Sequence, residues 1–150
     1  MKLYVLRHGL SLTITEAKVA HDADRPLADL GRQDIQAQVS ELKKKGGTVD
    51  EILCSPLKRA QETAAEAAAI LKPKAGVRVF QPLANEIPGQ DLFIAVQAEA
   101  KNALMIVGHQ PQLGEMVGHL VGHSVDIRPG GLVALDVNGS KAKLLWSKNP

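Results

Sequence analysis

Apolar positions along the chain switch between two periods. Residues 2–6 and 103–107 are short continuous apolar runs, the pattern of strands buried on both faces. Residues 51–54, 77–80, 132–137 and 141–146 read as further strands, the last two turning at Asn138-Gly139. Between them the period lengthens. Ile35, Val39 and Leu42 recur at helical spacing over 31–45, and the segment closes on Lys43-Lys44-Lys45 and then Gly46-Gly47. Cations in a last turn with glycine after it form a helix stop. Ser55-Pro56 predicts the start of an alanine-rich helix running to Leu71, with Ser55 as N-cap, Pro56 at the first helical position and Pro73 beyond the end. Residues 91–100 and 112–121 predict two more helices, while 10–30 and 81–89 lack a clean period and read as loops. Strands alternating with helices imply an α/β layered fold with a mostly parallel sheet. No repeat, low-complexity segment or linker interrupts it, so residues 1–150 read as a single domain.

In such sheets ligands bind just beyond the carboxyl ends of the strands. That rule gathers Arg7 and His8 after the first strand, Ser55–Arg59 after the second, Glu86 after the third, and Gly108 and His109 after the fourth. Two histidines and two arginines at one sheet edge suit a phosphoryl group. Arginine offers permanently charged, planar donors that match phosphate oxygens in pairs. A neutral imidazole is a competent nucleophile toward phosphorus. Gly9 allows a close backbone approach with no side chain in the way. Each of these residues alone is weak evidence, and their joint placement carries the reading.

Composition narrows the alternatives. A net charge of +2 is too small for a protein that coats nucleic acid, and 3% aromatics leaves few platforms for stacking bases. Cys54 is the one cysteine, so no intrachain disulfide forms, in keeping with a reducing cytoplasm. No apolar run approaches the roughly 18 residues of a membrane span, and 3–6 is too short for a signal-peptide core. His119 and His123 stand four apart, as a metal pair would. Gly122 interrupts them, no acid lies between, and no third ligand is evident, so no metal and no other cofactor is expected. Cys54 reads as buried rather than reactive. There is no P-loop and no dinucleotide fingerprint.

With RHG at 7–9, SPLKRAQETA at 55–64 and GHQPQLG at 108–114 in order, the sequence resembles the histidine phosphatase superfamily. The RPLADLG segment at 25–31 and the short length are similar to the phosphohistidine phosphatases of the SixA type. The resemblance implies a phosphoglycerate mutase-like, three-layer α/β/α sandwich. It implies His8 as nucleophile, with Arg7, Arg59 and His109 holding the phosphoryl oxygens, and Gly9 and Arg25 as further phosphate contacts. It implies Glu86 as proton donor, with Asp91 as a rival. Leu10 stands where the family often carries an acid, so no sugar-phosphate contact is inferred there. So short a chain leaves little room for a lid. That favours a phosphate carried on a protein surface, such as a phosphohistidine-bearing phosphotransfer domain. The alternatives are a phosphatase of small phosphate esters using the same site and a non-catalytic module that binds phosphoproteins. The expected location is the cytoplasm, with no nucleic-acid or membrane partner.

Overall fold

The computed structural model describes residues 1–150. In chain order the elements are β1 (Lys2–Arg7), α1 (Ile14–Ala17), α2 (Asp29–Lys44), β2 (Glu51–Cys54), α3 (Lys58–Leu71), β3 (Val77–Val79), α4 (Gly89–Gln97), β4 (Ala103–Gly108), α5 (Gln112–Val121), β5 (Leu132–Asn138) and β6 (Lys141–Lys148). The six strands form one sheet in the order β3-β2-β4-β1-β5-β6. The pairings from β3 through β1 are parallel, and β5 runs antiparallel to both of its neighbours.

Alternate residues of the central strands feed two separate cores. Leu3, Val5, Leu53, Leu104 and Ile106 pack under α4 and α5 with Leu92, Leu113 and Met116. Tyr4, Leu6, Ile52, Cys54, Met105 and Val107 face the other way, against Ile35, Val39 and Leu42 of α2 and Ala60, Ala64 and Ala67 of α3. The period-2 alternation along each strand thus builds the three-layer α/β/α sandwich that the sequence resemblance implied. The alanines of α3 keep that helix close to the sheet. β3 is an edge strand with all of its residues exposed. No helix is long and apolar enough to cross a membrane.

Element boundaries differ from the sequence expectation in instructive places. α3 begins at Lys58, and its N-cap position is Leu57, not Ser55. Leu57 is extended, and the Ser55 hydroxyl accepts from its amide while also bonding a site histidine, as described below. The 10–30 segment is not bare loop. Thr13 and Glu16 make a capping box that opens α1, and Asp22–Asp24 form a 3-10 turn. α4 spans Gly89–Gln97 rather than 91–100, and its start fits tightly on α5, where a Cβ on Gly89 would lie 2.4 Å from the Met116 amide nitrogen.

One close approach fixes the loop after β1. A Cβ on Gly31, in the first turn of α2, would lie 2.2 Å from the Leu10 carbonyl oxygen. A Cβ on Gly9 would in turn lie 2.9 Å from the Gly31 carbonyl oxygen. Two glycines therefore let α2 seat against the backbone that carries His8. Gly31→Ala would gain about 1 kcal/mol of helix propensity. The clash is with backbone, which cannot yield cheaply, so a net loss of about 1–3 kcal/mol is expected. Urea denaturation of Gly31→Ala measures it, and an unchanged midpoint would contradict the account.

Candidate active site

A cavity of about 490 Å³ opens at the carboxyl ends of β1, β2 and β4. Adjacent strands bring distant residues together there. β1 and β4 are paired with Arg7 opposite Gly108, so His8 and His109 emerge side by side, with ring centroids 5.1 Å apart. β2 lies on the other side of β4 and delivers Ser55 and, one turn into α3, Arg59. Arg7, His8, Arg25, Arg59 and His109 all line the cavity.

The nucleophile candidate is oriented and kept neutral. The His8 Nδ1–H donates to the Gly9 carbonyl at 2.8 Å. Because a carbonyl only accepts, the ring proton sits on Nδ1 and the lone pair on Nε2. Burial, followed by the charges of Arg59, Arg7 and Arg25, pushes the His8 pKa down to about 4, against the opposing pull of the Gly9 carbonyl. His109 is pushed down to about 3, first by burial and then by His8, Arg59 and Arg7, with Asp22 opposing. Both rings are neutral at pH 7.

The arginines are pinned on one side and unsatisfied on the other. Arg59 is buried, and its two terminal nitrogens donate to the Asp22 main-chain carbonyl at 2.9 Å and to the Asp22 carboxylate at 3.1 Å. Its Nε–H is buried without a partner. Arg7 donates from one terminal nitrogen to the Ile127 carbonyl at 3.1 Å, and its Nε–H is likewise buried and unpartnered. His109 Nδ1 is the third such atom in this cavity. A buried polar group without a partner costs about 1–3 kcal/mol, and three such atoms belong to residues that line this one cavity. Arg25 reaches the cavity and is held by Ser11, the Leu12 carbonyl and Asp22.

Two expected site residues lie elsewhere. Glu86 is exposed and outside the cavity, and Asp91 is exposed on α4. The wall at that point is Ala84 and Asn85. Asn85 takes a left-handed conformation (φ 67°), accepts from the Gln112 amide and donates to the Gln110 carbonyl. That turn gives the inward place to Asn85 and leaves Glu86 in solvent. Gly9 is the second. It is not on the cavity wall, and its amide is spent on Thr63 Oγ1 at 3.1 Å. Thr63 in turn donates to the Arg59 carbonyl at 2.8 Å, which ties the His8 loop to the Arg59 helix. His119 and His123, weighed as a metal pair, bond instead to Gln90 and to the Ser124 carbonyl. No three His, Cys, Asp or Glu side chains are grouped to hold a metal ion. Burial pushes the Cys54 thiol up to about 11.

Asp22 and Thr63 do not stand out as parts of the site from sequence, and Ser55, gathered at the sheet edge with Arg59, reads there only as a helix cap. Thr63 lies four residues after Arg59, the spacing that stacks helix neighbours, and that signal was available. Asp22 is the single carboxylate on the cavity wall. Burial raises its pKa, but the hydrogen bonds and charges of Arg59 and Arg25 outweigh this and leave it lowered.

A parallel-sheet edge carrying two neutral histidines and three arginines around a cavity defines a phosphoryl-handling α/β protein. Comparison with known sequences agrees. Residues 3–84 match the profile of the histidine phosphatase superfamily (branch 1), and the chain belongs to that superfamily. An uncharacterized protein of Picosynechococcus is 36% identical over 144 residues, covering 90% of this chain and 84% of that one. A phosphohistidine phosphatase SixA homolog of Haemophilus influenzae is 28% identical over 159 residues, covering 97% and 93%. The structure of the protein histidine phosphatase SixA complexed with tungstate superposes with a TM-score of 0.84 at 19% identity, covering 98% of this chain and 96% of that one. The alpha-ribazole phosphatase of Shigella flexneri gives 0.73 at 21% identity, covering 96% and 94%. These likenesses share the phosphoglycerate mutase-like fold and support a phosphatase of the hydrolase class.

The depressed histidines give a pH prediction. Both fall below the ordinary value of 6.5 in the folded protein, so the unfolded chain binds more protons below that value. Stability is full above 6.5 and falls as pH drops toward about 4. Ring NMR titration should place His8 near 4 and His109 near 3, with denaturation midpoints declining through that window. A His8 ring that titrates at its ordinary value would refute it.

Proposed function

We propose that the chain is a metal-independent phosphatase that removes the phosphoryl group from a phosphorylated histidine on a partner protein in the cytoplasm, a phosphotransfer domain being the partner type. His8 Nε2 attacks phosphorus, and the bond from phosphorus to the substrate nitrogen breaks with its electron pair passing to the leaving imidazole. Water then attacks the phosphohistidine at His8, the electron pair returns to Nε2, and the proton of water goes to inorganic phosphate. Arg7, Arg59, His109 and Arg25 hold the oxygens and stabilise the charge that develops on them.

The observation that carries this reading is the chemistry of the cavity wall, which sets three arginines and two neutral imidazoles around one space and offers no protonated carboxyl to a leaving group. Its one carboxylate, Asp22, is held ionised by two arginines. An alkoxide leaving from a phosphate ester needs a proton from such a donor. An imidazole whose distal nitrogen already carries a proton leaves neutral without one. Glu86, exposed and outside the cavity, is not assigned the donor role.

A second reading, a phosphatase of small phosphate esters, draws on the polar outer wall. Ser11, Asn85 and Gln110 line a volume sufficient for a small ligand.

Two experiments test the proposal. Mass spectrometry after exposure to a phosphohistidine protein, quenched at neutral-to-basic pH to preserve the phosphoramidate, should find phosphate on His8 and none on His8→Ala. An active enzyme lacking the adduct rules out this nucleophile, and rapid cleavage of sugar phosphates with no action on phosphohistidine proteins selects the second reading. A proton donor contributes about 10²–10⁴-fold, so Glu86→Gln is expected to change phosphohistidine turnover by less than about twofold. A hundredfold loss in that variant would restore Glu86 as the acid.

A further inference from the structure

We infer that Ser55 is a positioning residue that fixes His109 as its Nδ1-protonated tautomer, so that the ring presents an N–H to the phosphoryl oxygens. The inference rests on the phosphatase reading for its purpose but on local hydrogen bonding for its content.

Ser55 follows β2 directly and is completely buried. Its amide donates to the Val107 carbonyl at 3.0 Å, which holds it against β4 just before His109. Its Oγ has two partners. One is the Leu57 amide at 3.2 Å, which can only donate. The other is His109 Nε2 at 2.7 Å. A serine hydroxyl has one proton to give and two lone pairs. The Leu57 bond takes a lone pair, so the proton has His109 Nε2 as its one acceptor. If Nε2 carried the ring proton instead, two donors would meet at the Ser55 oxygen. The hydroxyl proton and the His109 Nδ1 lone pair would then both be buried unpaired, whereas the Nδ1-protonated ring leaves only its own N–H unmet. Nε2 therefore accepts, and the proton of the neutral ring resides on Nδ1.

That atom is the unpartnered one. His109 Nδ1 is buried with no hydrogen-bond partner, in a ring that lines the cavity beside His8. A neutral imidazole with its lone pair at Nδ1 would repel a phosphoryl oxygen, whereas an N–H attracts it. The two histidines share a tautomer and are used in opposite senses. His8 spends its Nδ1 proton on the Gly9 carbonyl and offers the Nε2 lone pair. His109 spends its Nε2 lone pair on Ser55 and offers the Nδ1 proton. Opposite partners turn two identical side chains into a nucleophile and a donor.

The test is long-range proton–nitrogen NMR of full-length protein labelled with nitrogen-15 in its histidine rings, at neutral pH, with His109→Gln identifying the His109 signals. The expected spectrum shows His109 protonated at Nδ1 and unprotonated at Nε2, with Nδ1 shifting when orthophosphate is added. Ser55→Ala should release the ring to a mixture of tautomers and lower kcat at least about tenfold, and Ser55→Thr should restore the fixed tautomer. A wild-type ring protonated at Nε2 overturns the inference. So does a Ser55→Ala protein that keeps both the Nδ1-protonated ring and full activity. The two failures are separable. The expected tautomer in a protein that cleaves no phosphohistidine or ester sinks the phosphatase reading and leaves the Ser55 bond standing. An Nε2-protonated ring in an active enzyme does the reverse.

Discussion

β1 and β4 are parallel neighbours in a register that sets Arg7 opposite Gly108, and the site follows from that pairing. The ladder continues one residue further, with the His8 amide donating to the Gly108 carbonyl. Beyond it the Gly130 amide sits against the Arg7 and His8 carbonyls, so the strand end is closed as well as paired. A slip by one residue would exchange the faces of every side chain in β1, misfitting both cores and moving a charged end residue, Lys2 or Arg7, toward the buried run. The hydrophobic packing that stabilises the sheet therefore also holds the two imidazoles 5.1 Å apart. Precision at the site costs nothing extra, because the same alternation that builds the layers sets the placement of the catalytic candidates.

Charge is the second constraint. Three guanidinium groups share one cavity wall with a single carboxylate. Like charges in a half-buried site repel one another, and each arginine is held in place by acceptors on its outer side: Asp22 for Arg59 and Arg25, and the Ile127 carbonyl for Arg7. Asp22 grips the end of the Arg59 guanidinium, which leaves the Nε–H side free. A carboxylate in an anion site thus orients a cation rather than competing for the anion's place. Burial first, and the same positive field after it, keep both histidines neutral, which is the state a nucleophile requires.

Most of the site was legible because strand ends are legible. Arg7, His8, Arg59 and His109 each follow an apolar run or open the helix after one, and the rule for parallel sheets places such residues together. What escaped the sequence depends on hydrogen bonds and single backbone conformations. Ser55-Pro56 has the composition of a helix cap, and only the spatial proximity of His109 shows that the hydroxyl is engaged elsewhere. In Asn85-Glu86 the choice of the inward residue turns on one left-handed residue, and asparagine adopts that conformation more readily than glutamate. Asp22 sits in a segment without period, where nothing local links it to an arginine 37 positions away. The capping box at Thr13 and Glu16 was readable, and a general lack of periodicity hid it.

The cavity wall has two origins, and they divide its labour. Apart from Arg25, the groups proposed to hold the phosphoryl oxygens come from the ends of β1 and β4 and the first turn of α3, elements locked by the cores on both faces of the sheet. The outer wall comes from the segments around Leu10 to Arg25, from Ala84-Asn85 and from Pro129, which are joined to the body mainly by polar contacts. Loops of this kind accept substitution without disturbing the scaffold. A phosphatase can therefore change the group that carries the phosphate while its phosphoryl site stays fixed. In this chain the outer wall contributes an asparagine, a glutamine and an arginine-bound aspartate, and no free acid. On the phosphohistidine reading proposed above, discrimination among substrates rests on how readily a leaving group departs unaided, and the P–N bond of a phosphohistidine meets that requirement more readily than the P–O bond of an alkyl ester.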